Sequence, residues 1–372
     1  MAGKVRRGHL LGARRTVVLA LSAVVALVLL VTIGVVVRVQ SSLSVVTIHD
    51  DDRAVSAPAD QDPLTILVVG SDSRALEGER HGVDDGSRRS DALIVVHLAR
   101  GDARVDAVQI PRDTVLELPA CPDVGEGSFA GGRGMINGAL NHGLACTVAA
   151  VEALSGLHLD HAVELDFDGF VAVVDAIGGL PICLPEPMQD DQAALDLPAG
   201  EQVLTGTEAL ALVRTRHAVG DGSDLARLDN QKRVISALVA HLSGEDLTRR
   251  PDRLARLAEA VAEATTVDDG LGSVAALVAL GRRFAAVPDS QVSVTTMPWQ
   301  PAPDDPNRVV PAPEAADAFA RLGQDRPVRT GSPDDASPRD PSTPSTPAQP
   351  PTPSDPSSKG PTSCPPSAPC SC

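Results

Sequence analysis

Three short clusters place arginine and aspartate at the ends of apolar runs. Gly70-Ser71-Asp72-Ser73-Arg74 follows Leu64–Val69, Arg88-Arg89-Ser90-Asp91 precedes Ala92–Leu98, and Gln109-Ile110-Pro111-Arg112-Asp113 closes Val105–Ile110. A guanidinium is a planar fork of donors that grips phosphate bidentately. Carboxylates beside the same anion repel it unless a cation intervenes, and Mg²⁺ is commonly held by one or two carboxylates plus substrate phosphates. Arg89, Arg112, Asp72 and Asp91 are thus candidates for phosphoryl chemistry, which depends mainly on positioning and charge stabilisation. Each cluster alone also reads as ordinary turn residues or surface ion pairs.

A fourth cluster is sharper. In Leu212-Val213-Arg214-Thr215-Arg216-His217, an extended segment would put the guanidiniums of Arg214 and Arg216 on one face. A continuing helix would splay them by about 200°. The extended reading requires a break near Val213, because Thr205–Leu210 is good helix. Further on, Arg227 and Gln231 stand four residues apart in a helical pattern, hence on one side. His217 receives no role.

The elements that must hold these residues are legible in outline. Leu64–Val69, Ala92–Leu98 and Val105–Ile110 are nearly continuous apolar runs, the signature of strands covered on both faces. Shorter strands fit Ala162–Leu165, Pro181–Leu184 and Gln291–Met297. Helices fit Thr147–Ser155, Phe167–Ile177 (capped by Asp166, stopped by Gly178-Gly179), Gly206–Val213, Leu225–Leu242, Pro251–Thr265 and Gly272–Phe284. Interleaved strands and helices predict a three-layer α/β/α sandwich with a central mixed sheet, forming one domain over 63–325.

Composition bounds the rest. The chain has 372 residues, a net charge of -17, 2% aromatic residues and no Tyr. That excludes a stacking platform for single strands and disfavours phosphate-backbone binding, so no nucleic acid is expected. Charge is unevenly spread: the first 38 residues hold six basic residues and no acid. Thr16–Val37 is 22 residues without a charge, about 33 Å as a helix and enough to cross a bilayer. Five positive charges precede it, so residues 1–15 are expected in the cytoplasm and everything after Arg38 outside, on a single-pass cell-membrane anchor. A cleaved signal peptide is the alternative, though the run is long for one and Val35-Val36-Val37-Arg38 is a poor cleavage site. Residues 38–62 read as a stalk. Residues 326–372 are rich in Pro, Ser and Thr and read as a disordered tail. Six cysteines (121, 146, 183, 364, 370 and 372) suit an exported domain, and their spacing leaves the pairing open.

Taken in order, these motifs resemble the LytR-CpsA-Psr (LCP) proteins of bacterial envelopes. The match comprises GSDSR at 70–74, RSD at 89–91, IPRDT at 110–114, IN at 136–137, VELDFDGF at 163–170 and VDAIGGL at 174–180. It continues through LPAGEQVLTGTEALALVRTRH at 197–217 and DLARLDNQ at 224–231. The resemblance implies transfer of a glycopolymer from a polyprenyl-pyrophosphate carrier to peptidoglycan, beside membrane lipid, forming a phosphodiester. It implies that Asp72 and Asp91 serve a divalent cation, usually Mg²⁺, and that Arg89, Arg112, Arg214, Arg216 and Gln231 hold the pyrophosphate. Arg227 joins that set by its place beside Gln231. The positions of Cys121 and Cys146 resemble those of actinobacterial members and imply a disulfide between them.

Departures from the family pattern are Met135 for a Lys, Leu212 for a Tyr, Asn230 for an Arg, and Glu201 where a partner for Cys183 would stand. Arg133 is a candidate replacement for the missing Lys. Cys183, in an apolar strand, is expected to be buried and reduced, with the tail cysteines bonded among themselves or to other chains. A bond from a tail cysteine back to Cys183 is the alternative. Two competing activities remain: a pyrophosphatase that hydrolyses polyprenyl pyrophosphates, and a catalytically weak lipid-binding scaffold, for which Met135 is the best argument.

Overall fold

The computed structural model describes residues 34, 37–48, 61–71, 88–123, 127–215, 230–238, 241 and 251–328. A seven-stranded sheet runs, in spatial order, β1 (Ser44–Val46), β12 (Thr265–Asp268), β7 (His161–Asp166), β2 (Leu64–Ser71), β3 (Ser90–Leu98), β4 (Val105–Ile110) and β13 (Val292–Thr296). β3 is antiparallel to both neighbours, as is β12 to β7, whereas β7–β2, β4–β13 and β1–β12 are parallel. The sheet is therefore mixed, as expected.

The apolar runs form central strands because helices cover both faces. On one face Leu67, Val69, Leu93, Val95, Val108 and Ile110 pack with α1 (Leu144–Ser155), α6 (Pro313–Gly323) and a 3₁₀ helix at Ile136–His142. On the other, Leu64, Ile66, Leu98 and Val105 meet Leu280 and Phe284 of α5 (Val274–Ala286), while Ile94 and Ala107 meet Ile235 of the helical stretch 230–238. Burying one such side chain contributes about 1.5–3 kcal/mol, so the strand ends are held by the core rather than by their loops.

A second apolar cluster lies beside the sheet. It joins α2 (Phe167–Ala176), the hairpin of β8 (Leu180–Leu184) and β11 (Gly200–Leu204), the hairpin of β9 (Met188–Asp190) and β10 (Leu195–Leu197), and α3 (Gly206–Arg214). α3 is launched by a capping box in which Thr205 Oγ1 accepts from Glu208 N and Glu208 Oε2 accepts from Thr205 N. Gly206 lets α3 close on α2, since a Cβ there would strike Val171 O. α4 (Pro251–Ala264) packs beside α2 and feeds β12.

Several expectations shift. Ser44–Val46, read as stalk, is an edge strand on β12, and Ile48 enters the core. Pro181–Leu184 leaves the main sheet for a hairpin with β11. The ribbon of β14 (Trp299–Ala302) and β15 (Asp305–Pro311) is masked in the sequence by its prolines, which demote a strand pattern. A second ribbon, β5 (Val115–Leu118) with β6 (Gly132–Met135), leads to the 3₁₀ helix. α6 is absent from the sequence reading, although Ala315, Ala318, Phe319 and Leu322 form its buried face. Thr16–Val37 lies outside the described residues except for Gly34 and Val37, and no helix among those described is long and apolar enough to cross a membrane. Residues 329–372 also lie outside.

Cys121 and Cys146 are joined with Cα atoms 5.5 Å apart, tying the end of β5 to α1. Cys121→Ser is expected to cost about 3 kcal/mol for a loop of this size, read as a lowered unfolding midpoint under non-reducing conditions; an unchanged midpoint would deny the bond a stabilising role. Cys183 corrects its expectation. It is half-buried and disulfide-bonded, because period two turns Ile182 and Leu184 inward and position 183 outward. It stands opposite Glu201 in the β8–β11 register, and its sulfur partner lies outside the described residues.

The end of the sheet away from the arginine clusters is closed by a polar network. Buried His97 contacts Thr65 Oγ1 through Nδ1 (3.1 Å) and Asp325 Oδ1 through Nε2 (3.3 Å), and Arg104 binds both Asp325 and Asp106. Burial alone would raise the Asp325 carboxyl, but the Arg100 N–H, His97 and Arg104 hold it below the usual value. Its stabilisation is present above the unfolded-state pKa of about 4 and is lost as pH falls through the depressed folded value. Asp325→Asn is expected to flatten the acid limb of a plot of urea midpoint against pH, by about 1 kcal/mol or less. An acid limb identical to wild type would count against it.

Candidate active site

Strand direction gathers the chemistry at one edge. β2, β4 and β7 end where the antiparallel β3 begins: Ser71 pairs with Ser90 and with Asp166, and Leu93 with Ile110. Hence Arg89 and Asp91 at the head of β3, and Arg112 just past β4, meet at the same edge as Ser71, the last described residue before Asp72.

Arg112 forms an ion pair with Asp91 through Nη1 and contacts Asp113 at 3.4 Å. Pro111 ends the ladder, and Thr114 folds back to donate to Pro111 O, which turns Arg112 toward Asp91. The 3₁₀ helix is tied on by Asn137 N to Arg112 O (3.3 Å) and Ile136 N to Thr114 O (2.8 Å). Asp113 also receives Arg308 of β15 at 3.1 Å, a cation that no sequence motif signalled. Arg88 is anchored by both oxygens of the buried Glu164 at 2.9 and 2.8 Å, and its N–H donates to Asn141. That fixes the approach to Arg89, which is exposed and pairs with no carboxylate among the described residues.

Arg214 stands just past the end of β7, over Phe167. It is the last residue of α3; Thr215 is already extended at φ -60°, ψ 140°. The break thus falls one residue later than the sequence suggests. Thr215 is fully buried, and its hydroxyl donates to the buried Asp190 at 2.5 Å, pinning the chain where the helix stops. The Arg214 guanidinium lies 5.0 Å from the centroid of the Phe167 ring, a cation–π contact that orients it without neutralising it. Asp166, before Phe167, caps α2 by accepting from Gly169 N at 2.7 Å, and burial pushes its carboxyl up.

Gln231 reaches the edge from the helical stretch 230–238. Its Nε2 faces Asp91 O at 3.4 Å, and its Oε1 accepts from Gln109 Nε2 of β4. Asp91, Arg112 and Gln231 are therefore in direct contact, while Arg89 stands at the head of β3 and Arg214 over Phe167, just past the end of β7. Asp72, Arg216 and Arg227 lie outside the described residues. Arg133, the candidate replacement for the missing Lys, is exposed and ion-paired with Asp304 at 2.6 Å. Met135 itself sits in the ladder opposite Val115.

The donors at this edge suit a hard divalent cation. They are oxygen donors, the Asp91 carboxylate among them. Buried Ser90 Oγ and Asn137 Oδ1 have no hydrogen-bond partner. No group of three His, Cys, Asp or Glu side chains gathers among the described residues.

These residues fall within the stretch 35–318 matched by the profile of the LytR_cpsA_psr family. The chain belongs to the LytR_cpsA_psr family. Its relatives include LcpA of Corynebacterium glutamicum, named a cell wall biosynthesis protein, 30% identical over 233 residues that cover 55% of this chain and 45% of LcpA. TagV of Bacillus subtilis, named a polyisoprenyl-teichoic acid–peptidoglycan teichoic acid transferase, is 32% identical over 202 residues, 53% of this chain and 48% of TagV. The chain spans about half the length of these curated relatives. A solved LytR-Csp2A-Psr enzyme from Actinomyces oris shares the fold, with a TM-score of 0.56 at 23% identity, covering 76% of this chain and 94% of that one. The mixed sheet is thus that of a LytR_cpsA_psr protein.

Proposed function

We propose that this chain is a membrane-anchored phosphotransferase that moves a glycopolymer from a polyprenyl-pyrophosphate carrier to peptidoglycan. The observation that carries the proposal is the meeting of Arg112 and Gln231 at Asp91, with Arg89 beside them at the head of β3 and Arg214 over Phe167 just past the end of β7, on an otherwise acidic protein. The name of the TagV relative supports the substrate class, and the apolar run Thr16–Val37 supports the anchor. Local arginine convergence overrides the net charge of -17 for an anionic substrate.

Arg89 and Arg214, with no carboxylate partner among the described residues, would grip the pyrophosphate. Arg112 would hold Asp91 in place and present its remaining N–H groups to the same anion. Gln231 would donate through Nε2. A peptidoglycan hydroxyl attacks the phosphorus that carries the sugar. The new P–O bond forms as the P–O bond to the lipid-side phosphate breaks. Polyprenyl phosphate leaves and the hydroxyl proton is released. Asp91, with Asp72, would hold a divalent cation, which when bound neutralises charge on the departing phosphate. The arginines match that role because the transition state spreads charge over several oxygens.

The test is acceptor dependence. Full-length protein with a short-chain polyprenyl-pyrophosphoryl sugar and Mg²⁺ is expected to release polyprenyl phosphate only when peptidoglycan fragments are added. Release without acceptor would support the pyrophosphatase, and binding without release would support the scaffold.

A further inference from the structure

Gln109 is a buried polar residue that the transfer chemistry does not use. All six residues of β4 are buried, and Gln109 is 1% exposed. Alternation sends Asp106, Val108 and Ile110 to one face and Val105, Ala107 and Gln109 to the other, toward the helical stretch 230–238. There its amide nitrogen donates to Gln231 Oε1, while its own Oε1 has no partner. An orphaned buried acceptor is costly and asks for a reason.

The reason lies in Gln231. A glutamine amide has nearly the same shape with its oxygen and nitrogen exchanged, and hydrogen-bond partners decide which end points where. At an anion site the choice is decisive: the NH₂ end attracts phosphate and the oxygen end repels it. Reversing both amides would keep a Gln109–Gln231 bond but turn Gln231 Oε1 against the carbonyl of Asp91, oxygen facing oxygen. In the arrangement present, Gln231 Nε2 faces Asp91 O at a long 3.4 Å. Its NH₂ carries two hydrogens, so one stays available to a ligand.

We propose that Gln109 is a positioning residue that locks the Gln231 amide with its donor end toward the pyrophosphate. The proposal rests on the reading of Gln231 as a pyrophosphate ligand. Gln109 itself touches no substrate; it acts by fixing which atom of its neighbour does.

The test is a double-mutant cycle read by titration calorimetry on the full chain, with a short-chain polyprenyl pyrophosphate and Mg²⁺ as probe. Gln109→Leu removes the donor, and binding is expected to weaken about fivefold, the worth of one neutral hydrogen bond. In a Gln231→Ala background the same change should have almost no further effect, because contacting residues that act through one another are non-additive. Gln109→Glu keeps the size. When ionised it can only accept, which draws in the Gln231 NH₂, so affinity should fall further at neutral pH and recover as the carboxyl protonates. This pH profile should shrink in the Gln231→Ala background. A weakening by Gln109→Leu of the same size in both backgrounds would mean a merely structural role and overturn the proposal. If Gln231→Ala weakens binding while Gln109→Leu and Gln109→Glu bind as wild type, the proposal alone falls. If Gln231→Ala itself binds as wild type, the ligand role of Gln231 falls, and the proposal with it.

Discussion

Asp91→Asn is expected to lower glycopolymer transfer by about 100-fold or more, the scale on which a single group acting on transition-state charge is felt. The substitution keeps the shape of the side chain but removes the charge that would hold the cation and that pairs with Arg112. The fold should survive. Asp91 is 21% exposed at the head of a strand whose core positions, Leu93 and Val95, are untouched. Loss of a partly exposed ion pair costs about 1 kcal/mol or less. Initial rates across a Mg²⁺ titration, beside a thermal melt, would check this. Wild-type turnover in Asp91→Asn with metal chelated would refute a cation role for Asp91.

Arg214→Lys is the second large effect. Lysine keeps the charge but loses the planar fork that binds phosphate bidentately and stacks on Phe167. A fall in kcat/KM of about 10-fold or more is expected. Little change in stability should accompany it, because the terminus of α3 is held by Thr215 and Asp190 rather than by Arg214. Steady-state kinetics with varied carrier lipid separates the cases. If Arg214→Lys matches wild type in kcat/KM, Arg214 is not a phosphate ligand.

Sequence revealed most clearly what period and burial write most strongly. β2, β3 and β4 were legible because strands covered on both faces carry unbroken apolar runs, and Asp166 marked the start of α2 because an N-cap needs a short acceptor. Arg89, Asp91 and Arg112 were legible because strand ends at one sheet edge are natural ligand positions. What stayed hidden depends on long-range packing. Arg308 reaches Asp113 only through the proline-bearing ribbon of β14 and β15, and Asp190 reaches Thr215 only because two hairpins fold beneath α3. Gln109 did leave a signal, a polar side chain that with Asp106 interrupts an apolar run, but its meaning depended on a partner 122 residues away. Cys183 misled because an apolar flank suggests burial, whereas its own parity in the strand faces it outward.

The central claim is that the phosphorus carrying the sugar moves to a peptidoglycan hydroxyl and not to water. The measurement that tests it most directly is mass spectrometry of the products formed in ¹⁸O-enriched water from a polyprenyl-pyrophosphoryl sugar, Mg²⁺ and peptidoglycan fragments. The expected result is a peptidoglycan fragment heavier by one glycosyl phosphate, joined as a phosphodiester, with no ¹⁸O at its phosphorus. Free sugar phosphate carrying ¹⁸O, with the fragments unmodified, would contradict it.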